Sequence, residues 1–285
     1  MATAVIDGIT TRYEVRGSGP ALLMFSPGGF DATLEKWTTQ GIYARIKPLD
    51  HLPKKYSCII FDRRETGQSG GRVEHITWRH YVDQGKGLLD HLKIARAHIM
   101  GACMGCCPAV AFGVAHPDTA LSLLLYWPVG GAKYRINGHL RFAQHLEYVK
   151  QHGLAGVVSL AATNGKSFGE DPRGGPWSSV IRRDTAFADA YARQDVGQYE
   201  TLVAAMGRTL FDRDTAPGAE PEDLMRLELR ALVVPGRDSV HTMSAARYLE
   251  ECLPKAEYWD ASVEEQTEET APARMLEFLY SVATR

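Results

Sequence analysis

Short apolar runs alternate with segments of helical apolar spacing along most of this chain. The runs predict strands at residues 4–6, 11–15, 21–25, 56–62, 97–100, 121–127, 231–236 and 256–260, with the first two forming a hairpin. Helical spacing of apolar residues predicts helices at residues 78–93, 104–115, 242–252 and 271–281. Because strands that alternate with helices pair mostly in parallel, the pattern predicts an α/β fold with a mostly parallel, doubly wound sheet.

The stretch from residue 129 to residue 215 differs in character. It is rich in arginine, histidine, glycine and aromatic residues, and it lacks strong strand signals. We therefore expect a mostly helical cap at residues 129–215, inserted into a core made of residues 1–128 and 216–285. Ligands bind at the carboxyl ends of the strands in such sheets, and we expect the cap to lie over those ends.

Composition narrows the class of protein. The chain has 285 residues, of which 45% are hydrophobic and 23% charged, which suits a globular enzyme with a substantial core. With 32 basic and 34 acidic residues the net charge is -2, so neither nucleic acid nor a membrane surface is expected as a partner. The N-terminus lacks the pattern of a signal peptide, which predicts a cytoplasmic location. A small-molecule substrate is expected, and a homodimer stays open.

The segment around Cys103 carries the strongest chemical signal. An apolar run ends at Gly101, the sequence continues Gly-Ala-Cys-Met-Gly to Gly105, and an apolar helical pattern follows. This is the G-x-S-x-G nucleophile elbow with cysteine in place of serine. Glycine suits both flanking positions because a sharp strand-to-helix turn crowds the backbone there. The partial positive charge of the helix N-terminus favours the thiolate of Cys103, the predicted nucleophile.

The remaining cysteines do not form a recognisable framework. The chain has five, at positions 58, 103, 106, 107 and 252, an odd number without disulfide spacing. Cys103 and Cys106 form a CxxC pair, but a redox or zinc site of that type needs a second cysteine pair or a histidine pair nearby. We therefore expect free thiols, no bound metal and no organic cofactor.

Five motifs in order resemble those of the α/β-hydrolase superfamily. They are ALLMFSPGG, FDRRETGQSG, GACMG, VVPGRDSVH and LEECLPKAEYW. The elbow cysteine is similar to that of dienelactone hydrolases, which are cysteine-nucleophile members. The resemblance implies the α/β-hydrolase fold with a cap, places Asp238 at the position of the triad acid, and puts an oxyanion hole at Met104 and the Gly28–Gly29 region. It also implies that Asp62 and Arg63 are mainly structural.

The position of the catalytic base departs from the pattern. The loop after the last predicted strand, DASVEEQTEETAP, contains no histidine, although that loop supplies the base in the superfamily. His241 lies three residues after Asp238 and is the sole histidine beyond the insertion, so we take it as the substitute base. Glu264, Glu265 and Gln266 occupy the loop after the last predicted strand. Two alternatives remain for the base: a carboxylate of the loop, from Glu264 or Glu265, or a cap histidine, from His139, His145 or His152.

Arginines and aromatic residues near the cap suggest the type of substrate. Arg135 and Arg141 suggest an anionic group such as a carboxylate, although solvated helix faces explain them equally well. Tyr126, Trp127 and Trp177 predict an aromatic pocket, with core packing as the alternative. We expect a hydrolase for an ester, lactone, thioester or carbon–carbon bond of a small acidic or aromatic metabolite. A lyase or acyl transferase using the same pocket, or a non-catalytic ligand-binding protein, are the alternatives.

Overall fold

The molecule is built on one twisted sheet whose central strands are parallel. A computed structural model describes residues 2–283, which leaves residues 1, 284 and 285 of the predicted core outside the described part. Within the described residues the sheet has eight strands in the order β1-β2-β4-β3-β5-β6-β7-β8. The strands are β1 (Ala2–Ile6), β2 (Ile9–Arg16), β3 (Ala21–Phe25), β4 (Ser57–Phe61), β5 (Ala97–Ala102), β6 (Ala120–Tyr126), β7 (Ala231–Val234) and β8 (Ala256–Tyr258).

The predicted mostly parallel sheet is confirmed. Strands β1 and β2 form the predicted hairpin, and β2 also pairs antiparallel with β4. From β4 to β8 every neighbouring pair is parallel. The carboxyl ends of β3, β5, β6 and β7 therefore meet along one edge of the sheet.

Helices cover both faces of the sheet. They are α1 (Lys36–Thr39), α2 (Gly41–Ile46), α3 (Pro48–His51), α4 (Trp78–His91), α5 (Cys106–Ala115), α6 (Ala132–Asn164), α7 (Ser178–Arg183), α8 (Thr185–Ala192), α9 (Val196–Leu210), α10 (Pro221–Met225), α11 (Met243–Cys252) and α12 (Thr270–Ala283). Short 3-10 turns lie at Leu52–Lys54, Cys103–Gly105 and Pro172–Gly174. The four predicted helices correspond to α4, α5, α11 and α12. Helices α1–α3 and α10 were not predicted because each is too short to show helical periodicity.

Alternate strand residues feed two separate hydrophobic clusters. In β3, Leu22 and Met24 belong to one cluster, whereas Leu23 and Phe25 belong to the other. This division follows from the two-residue repeat of a strand that is buried on both faces. The continuous apolar run ALLMF, which shows no alternation with polar residues, is what such a strand requires.

The segment between β6 and β7 is helical, as the pattern predicted. Helix α6 is interrupted at Gly153, whose φ of 65° and ψ of 178° join two helical stretches across a kink. Helices α6–α9 bury residues such as Phe142, Val157 and Tyr199 in the same cluster that receives Leu22 and Met24 from the sheet. The helical segment therefore shares its core with one face of the sheet. Within residues 2–283, no helix is both long and apolar enough to cross a bilayer.

Candidate active site

The elbow is a strained turn at the carboxyl end of β5. Cys103 has a φ of 55°, a left-handed conformation that is rare for a residue with a side chain. A Cβ at Gly101 would lie 2.4 Å from the carbonyl oxygen of Gly105, and one at Gly105 would lie 2.3 Å from the carbonyl oxygen of Phe25. Neither position can hold another residue without moving backbone. The turn therefore requires the two glycines, which agrees with the crowding expected from the sequence.

Cys103 lies at the floor of a cavity next to His241. Its side chain is largely buried, with 9% of the residue exposed, and both residues line the same cavity. Burial opposes ionisation of the thiol and is the largest single influence on it, but the charge and hydrogen bond of His241, together with the backbone N–H groups of Gly28 and Met104, outweigh burial and lower the pKa of Cys103 below its ordinary value of 9.0. Conversely, burial opposes protonation of His241, yet the Cys103 thiolate and Asp238 together raise its pKa to about 10. The two side chains therefore favour a thiolate–imidazolium pair.

Asp238 orients the imidazole from the loop that follows β7. Its Oδ2 atom lies 2.7 Å from Nδ1 of His241, and its Oδ1 atom accepts hydrogen bonds from the backbone N–H groups of Val240 and His241, each at 2.8 Å. The hydrogen bond with His241 holds the pKa of Asp238 well below its usual range. His241 Nε2 is buried and makes no hydrogen bond of regular geometry among residues 2–283. Nε2 is therefore the ring nitrogen left to serve the sulfur.

Two neighbours fix the position of the His241 loop. His241 forms an isolated parallel bridge with Gly130, just after β6. The ring of Trp127 packs against the imidazole, with 5.5 Å between ring centroids. Trp127 itself has a φ of 55°, and this turn ends β6 at Tyr126, one residue before the predicted end.

The backbone N–H groups predicted for the oxyanion hole have different partners in the structure. Backbone N–H groups of Gly28 and Met104 face the Cys103 sulfur and help to lower its pKa. The N–H of Gly29 instead donates to Oδ1 of Asp31 at 3.1 Å. Gly28 and Met104 thus supply donors beside the sulfur, whereas the Gly29 donor is already bonded because the Asp31 side chain folds back onto the loop.

Gln266 occupies the loop where the superfamily histidine was expected. Its Oε1 accepts hydrogen bonds from the Tyr126 hydroxyl and from Trp127 Nε1, each at 2.7 Å. Its Nε2 donates to the carbonyl oxygens of Pro235 at 3.2 Å and Ala261 at 3.1 Å. The buried amide therefore ties together the ends of β6, β7 and β8, with all its hydrogen-bonding capacity used.

The other alternative bases lie elsewhere. Glu264 and Glu265 are exposed, and Glu265 accepts a hydrogen bond from the N–H of Ser262, which lowers its pKa. A carboxylate that acts as a general base would need a raised pKa instead. The cap histidines bond or pack within the helical segment: His139 to the carbonyl of Phe211, His145 to Tyr199 and the carbonyl of Arg173, and His152 against the ring of Tyr148.

The cavity above Cys103 has a volume of about 360 Å³ and an aromatic wall. Phe142 is central to that wall, with ring-centroid distances of 5.7 Å to Phe30, 5.2 Å to Phe168 and 6.1 Å to Phe211. The polar part of the lining includes Asp31 paired with Lys36 at 2.8 Å, together with Arg141 and Glu170. A volume of this size suits a small organic molecule.

Four of the five side chains predicted to bind substrate lie outside this cavity, and only Arg141 lines it. Tyr126 and Trp127 bond to Gln266 instead. Trp177 is fully buried and donates to the carbonyl oxygen of Arg72 at 2.9 Å. Arg135 is exposed and pairs with Asp214 at 3.5 Å. The physical reason is the same for the three aromatic residues: each packs in or against the hydrophobic core and donates its polar hydrogen to an acceptor within the protein.

Arg63 contacts the loop at Gly28 and Gly29, which we call the oxyanion loop because the sequence predicts that role for it. This contact was not expected from the sequence. It is 2% exposed, and its Nη2 donates to the carbonyl oxygens of Gly28, at 2.5 Å, and Gly29. The sequence held one signal for this contact, the two consecutive arginines of the DRRETGQSG turn. If the turn is buried, each arginine needs a hydrogen-bond acceptor, and the second acceptor has to come from elsewhere in the chain. Its neighbour Arg64 has acidic partners, Glu65 and Glu74.

The remaining cysteines do not extend the site. The five cysteines are free thiols, and the Cys106 sulfur hydrogen-bonds the carbonyl oxygen of Gly101 at 3.2 Å. Burial raises the pKa of Cys106 and Cys107 well above the ordinary value, so both stay protonated. Across residues 2–283 no group of three or more His, Cys, Asp or Glu side chains is arranged to hold a metal ion.

Comparison with known proteins identifies the fold. No protein-family model matches the chain. The enol-lactonase from Burkholderia xenovorans LB400 superimposes over 100% of both chains with a TM-score of 0.60 and 20% sequence identity. MGS-M2, an alpha/beta hydrolase enzyme from a Medee basin deep-sea metagenome library, covers 98% of this chain and 97% of its own with a TM-score of 0.63 and 17% identity. The chain therefore has the α/β-hydrolase fold.

Sequence relatives match over shorter stretches. The dihydrolipoyllysine-residue acetyltransferase component of the acetoin cleaving system of Cupriavidus necator is 31% identical over 127 residues, which are 45% of this chain and 32% of that protein. Across the curated relatives, the matched stretch covers between 23% and 55% of the relative's length.

Proposed function

We propose that this chain, which has the α/β-hydrolase fold, is an enzyme that cleaves an ester or lactone of a small metabolite through a covalent acyl intermediate on Cys103. One observation carries the proposal. A cysteine in a strained elbow faces a cavity beside a histidine, and that histidine is held by a carboxylate at 2.7 Å. Acyl transfer needs a nucleophile, a base beside it and an acid that orients the base, and Cys103, His241 and Asp238 are arranged in that order.

In the first half-reaction the Cys103 thiolate attacks the substrate carbonyl carbon. A carbon–sulfur bond forms, and the carbonyl π electrons move to oxygen, where the N–H groups of Gly28 and Met104 receive the negative charge. Collapse of this tetrahedral intermediate breaks the carbon–oxygen bond to the leaving group. The departing alkoxide takes its proton from Nε2 of the His241 imidazolium, which leaves a thioester on Cys103 and a neutral imidazole.

The thioester also changes the character of His241. The negative sulfur, a main support of the raised pKa of His241, no longer exists after acylation, while burial still opposes protonation. The imidazole can then accept a proton from water as the water oxygen attacks the thioester carbonyl. Collapse of the second tetrahedral intermediate releases the acid and returns the thiolate–imidazolium pair.

The cavity suggests which substrates fit. Its phenylalanine wall suits an aryl or alkyl group, and Arg141, which has no carboxylate partner among the described residues, suits an anionic group at the cavity mouth. Helices α6–α9 supply Phe142 and Arg141, so we assign residues 129–215 the role of a substrate-selecting cap. The name of one structural neighbour, an enol-lactonase, supports a lactone as one of the bonds cleaved.

Acyl transfer is the second candidate. The name of the Cupriavidus necator relative includes an acetyltransferase activity, and a cysteine thioester is a competent acyl donor. In that reaction a thiol, alcohol or amine would replace water in the second half-reaction. The first half-reaction, with Cys103 as the acylated residue, is common to both candidates.

The proposal is tested by mixing the protein with 4-nitrophenyl acetate and measuring both released 4-nitrophenol and intact mass. We expect one acetyl group on Cys103, located by peptide mapping, and continued release of 4-nitrophenol as the thioester is hydrolysed. Cys103→Ala should abolish both signals. Cys252→Ala is the matched control, because Cys252 lies on α11 outside the cavity lining, and it should react like the unchanged protein.

The outcomes separate the candidates. Turnover in water supports the hydrolase. A stable acetyl adduct that is discharged only by an added thiol or amine supports the transferase. Absence of both an adduct and 4-nitrophenol release contradicts both candidates and favours a non-catalytic binding protein. Equal reaction of the Cys103→Ala variant contradicts Cys103 as the acylated residue.

A further inference from the structure

Arg63 is a buried cation with an incomplete set of partners. It is 2% exposed, and its Nε and Nη1 atoms are buried without a hydrogen-bond partner among residues 2–283. Its guanidinium carbon lies 4.9 Å from the ring centroid of Tyr81, a cation–π contact that accounts for part of its burial. Unmet N–H groups in the interior cost free energy. Because burying Arg63 with two unpaired N–H groups costs free energy, we look for a role of this side chain other than stabilising the fold.

The contacts that Arg63 does make are concentrated on the oxyanion loop. A single nitrogen, Nη2, donates to the carbonyl oxygens of both Gly28 and Gly29. On its opposite edge, the peptide between these two glycines donates its N–H to Asp31. This peptide is thus held on both edges, by a cation at its oxygen and by a carboxylate at its nitrogen.

The need for such a clamp follows from the conformation of Gly28. Its φ of 104° lies in a region where glycine moves with little steric restraint, and a Cβ there would lie 2.8 Å from Asp31 Oδ1. A flexible residue is a poor support for a donor that must be in place before the transition state forms. The donor in question is the N–H of Gly28, which faces the Cys103 sulfur.

We infer that Arg63 is the positioning residue of the oxyanion hole: its guanidinium holds the Gly28–Gly29 peptide, which fixes Gly28 and with it the preceding peptide, whose Gly28 N–H points at the developing oxyanion. This inference rests on the proposed function, because an oxyanion forms only if a carbonyl is attacked. Arg63 touches neither sulfur nor substrate, and it acts through the backbone alone. Preorganised donors of this kind accelerate acyl transfer because they need no rearrangement when charge develops.

Two reactions of the same sulfur distinguish positioning from general structural support. Acetylation by 4-nitrophenyl acetate passes through an oxyanion, whereas alkylation by iodoacetamide is a direct displacement that forms none. We expect Arg63→Met to slow acetylation of Cys103 by roughly 30-fold or more, with the loss in kcat rather than KM, and to slow alkylation by less than about threefold. Arg63→Lys, which keeps one cationic donor, should recover part of the acetylation rate.

Arg64→Lys is the matched control. Arg64 is the neighbouring buried arginine, but it bonds Glu65 and Glu74 and not the oxyanion loop. We expect this variant to lose stability in thermal unfolding while both reactions of Cys103 stay within about threefold of the unchanged protein.

Every outcome of these experiments either supports or overturns the positioning role of Arg63. Equal loss of acetylation and alkylation in the Arg63 variants, or no loss in either, overturns the positioning role. So does loss of the folded state, by circular dichroism, in both Arg63→Met and Arg63→Lys, since that would make Arg63 a structural residue. If the unchanged protein shows neither an acetyl adduct on Cys103 nor Cys103-dependent release of 4-nitrophenol, the proposed function itself fails; if it reacts and Arg63→Met matches it, only this inference fails.

Discussion

Replacement of His241 by glutamine tests whether the imidazolium makes the Cys103 thiolate. Glutamine keeps a hydrogen-bonding group for Asp238 but carries no positive charge. In the native site the charge of His241 lowers the pKa of Cys103 against the opposing effect of burial. With the charge removed, burial should raise the pKa of Cys103 above its ordinary value of 9.0.

The size of the effect follows from the two ionised fractions. A thiol of pKa 9 is only about 1% ionised at pH 7, so a thiolate held by His241 is present at up to about 100-fold higher concentration. A less acidic thiol gives a more nucleophilic thiolate, which offsets about eightfold of this difference. We therefore expect His241→Gln to slow alkylation at pH 7 by roughly tenfold and to move the midpoint of its pH profile from below 9 to above 9.

Alkylation by iodoacetamide, followed by intact mass and peptide mapping between pH 5 and pH 10, measures both quantities. His139→Gln is the control, because His139 bonds the carbonyl of Phe211 and does not line the cavity. It should keep the native profile. The reasoning would be refuted by an unchanged midpoint in His241→Gln, since the thiolate would then owe its stability to the backbone alone.

Three further changes test other parts of the site. Cys103→Ser should slow acetylation by 4-nitrophenyl acetate roughly 100-fold, because a hydroxyl stays protonated beside His241; a rate close to native would argue against the ion pair. Gln266→His should restore no activity and should lower stability by about 2 kcal/mol in urea unfolding, because the amide spans four hydrogen bonds that imidazole cannot all make; faster hydrolysis would show that position 266 still reaches the sulfur. Burial raises the pKa of Glu65 to about 7, so the folded state binds a proton that the unfolded state has released, and native stability should fall as pH rises from about 4.5 to 7. Glu65→Gln should flatten this part of the stability profile, and an unchanged slope in urea unfolding would contradict the assignment.

The sequence alone was sufficient where structure is decided locally. The elbow could be predicted because its two glycines are required by a steric restriction within one turn: a Cβ at Gly101 would clash with the carbonyl oxygen of Gly105. The pairing of Asp238 with His241 is also local, because only two residues lie between them and one turn brings the carboxylate to both the backbone and the ring. The buried strands could be predicted from continuous apolar runs, because parallel strands are covered on both faces.

Only the tertiary structure decided which surfaces of these local pieces meet. That His241 rather than a residue near position 266 faces Cys103 depends on how the ends of β6, β7 and β8 are tied by Gln266. Trp177 looks like a pocket aromatic in the sequence, yet it is core, because a large apolar ring suits either setting. Arg63 beneath the oxyanion loop follows the same principle: side-chain type restricts the chemistry of a residue, whereas its partners are set by packing between segments distant in the chain.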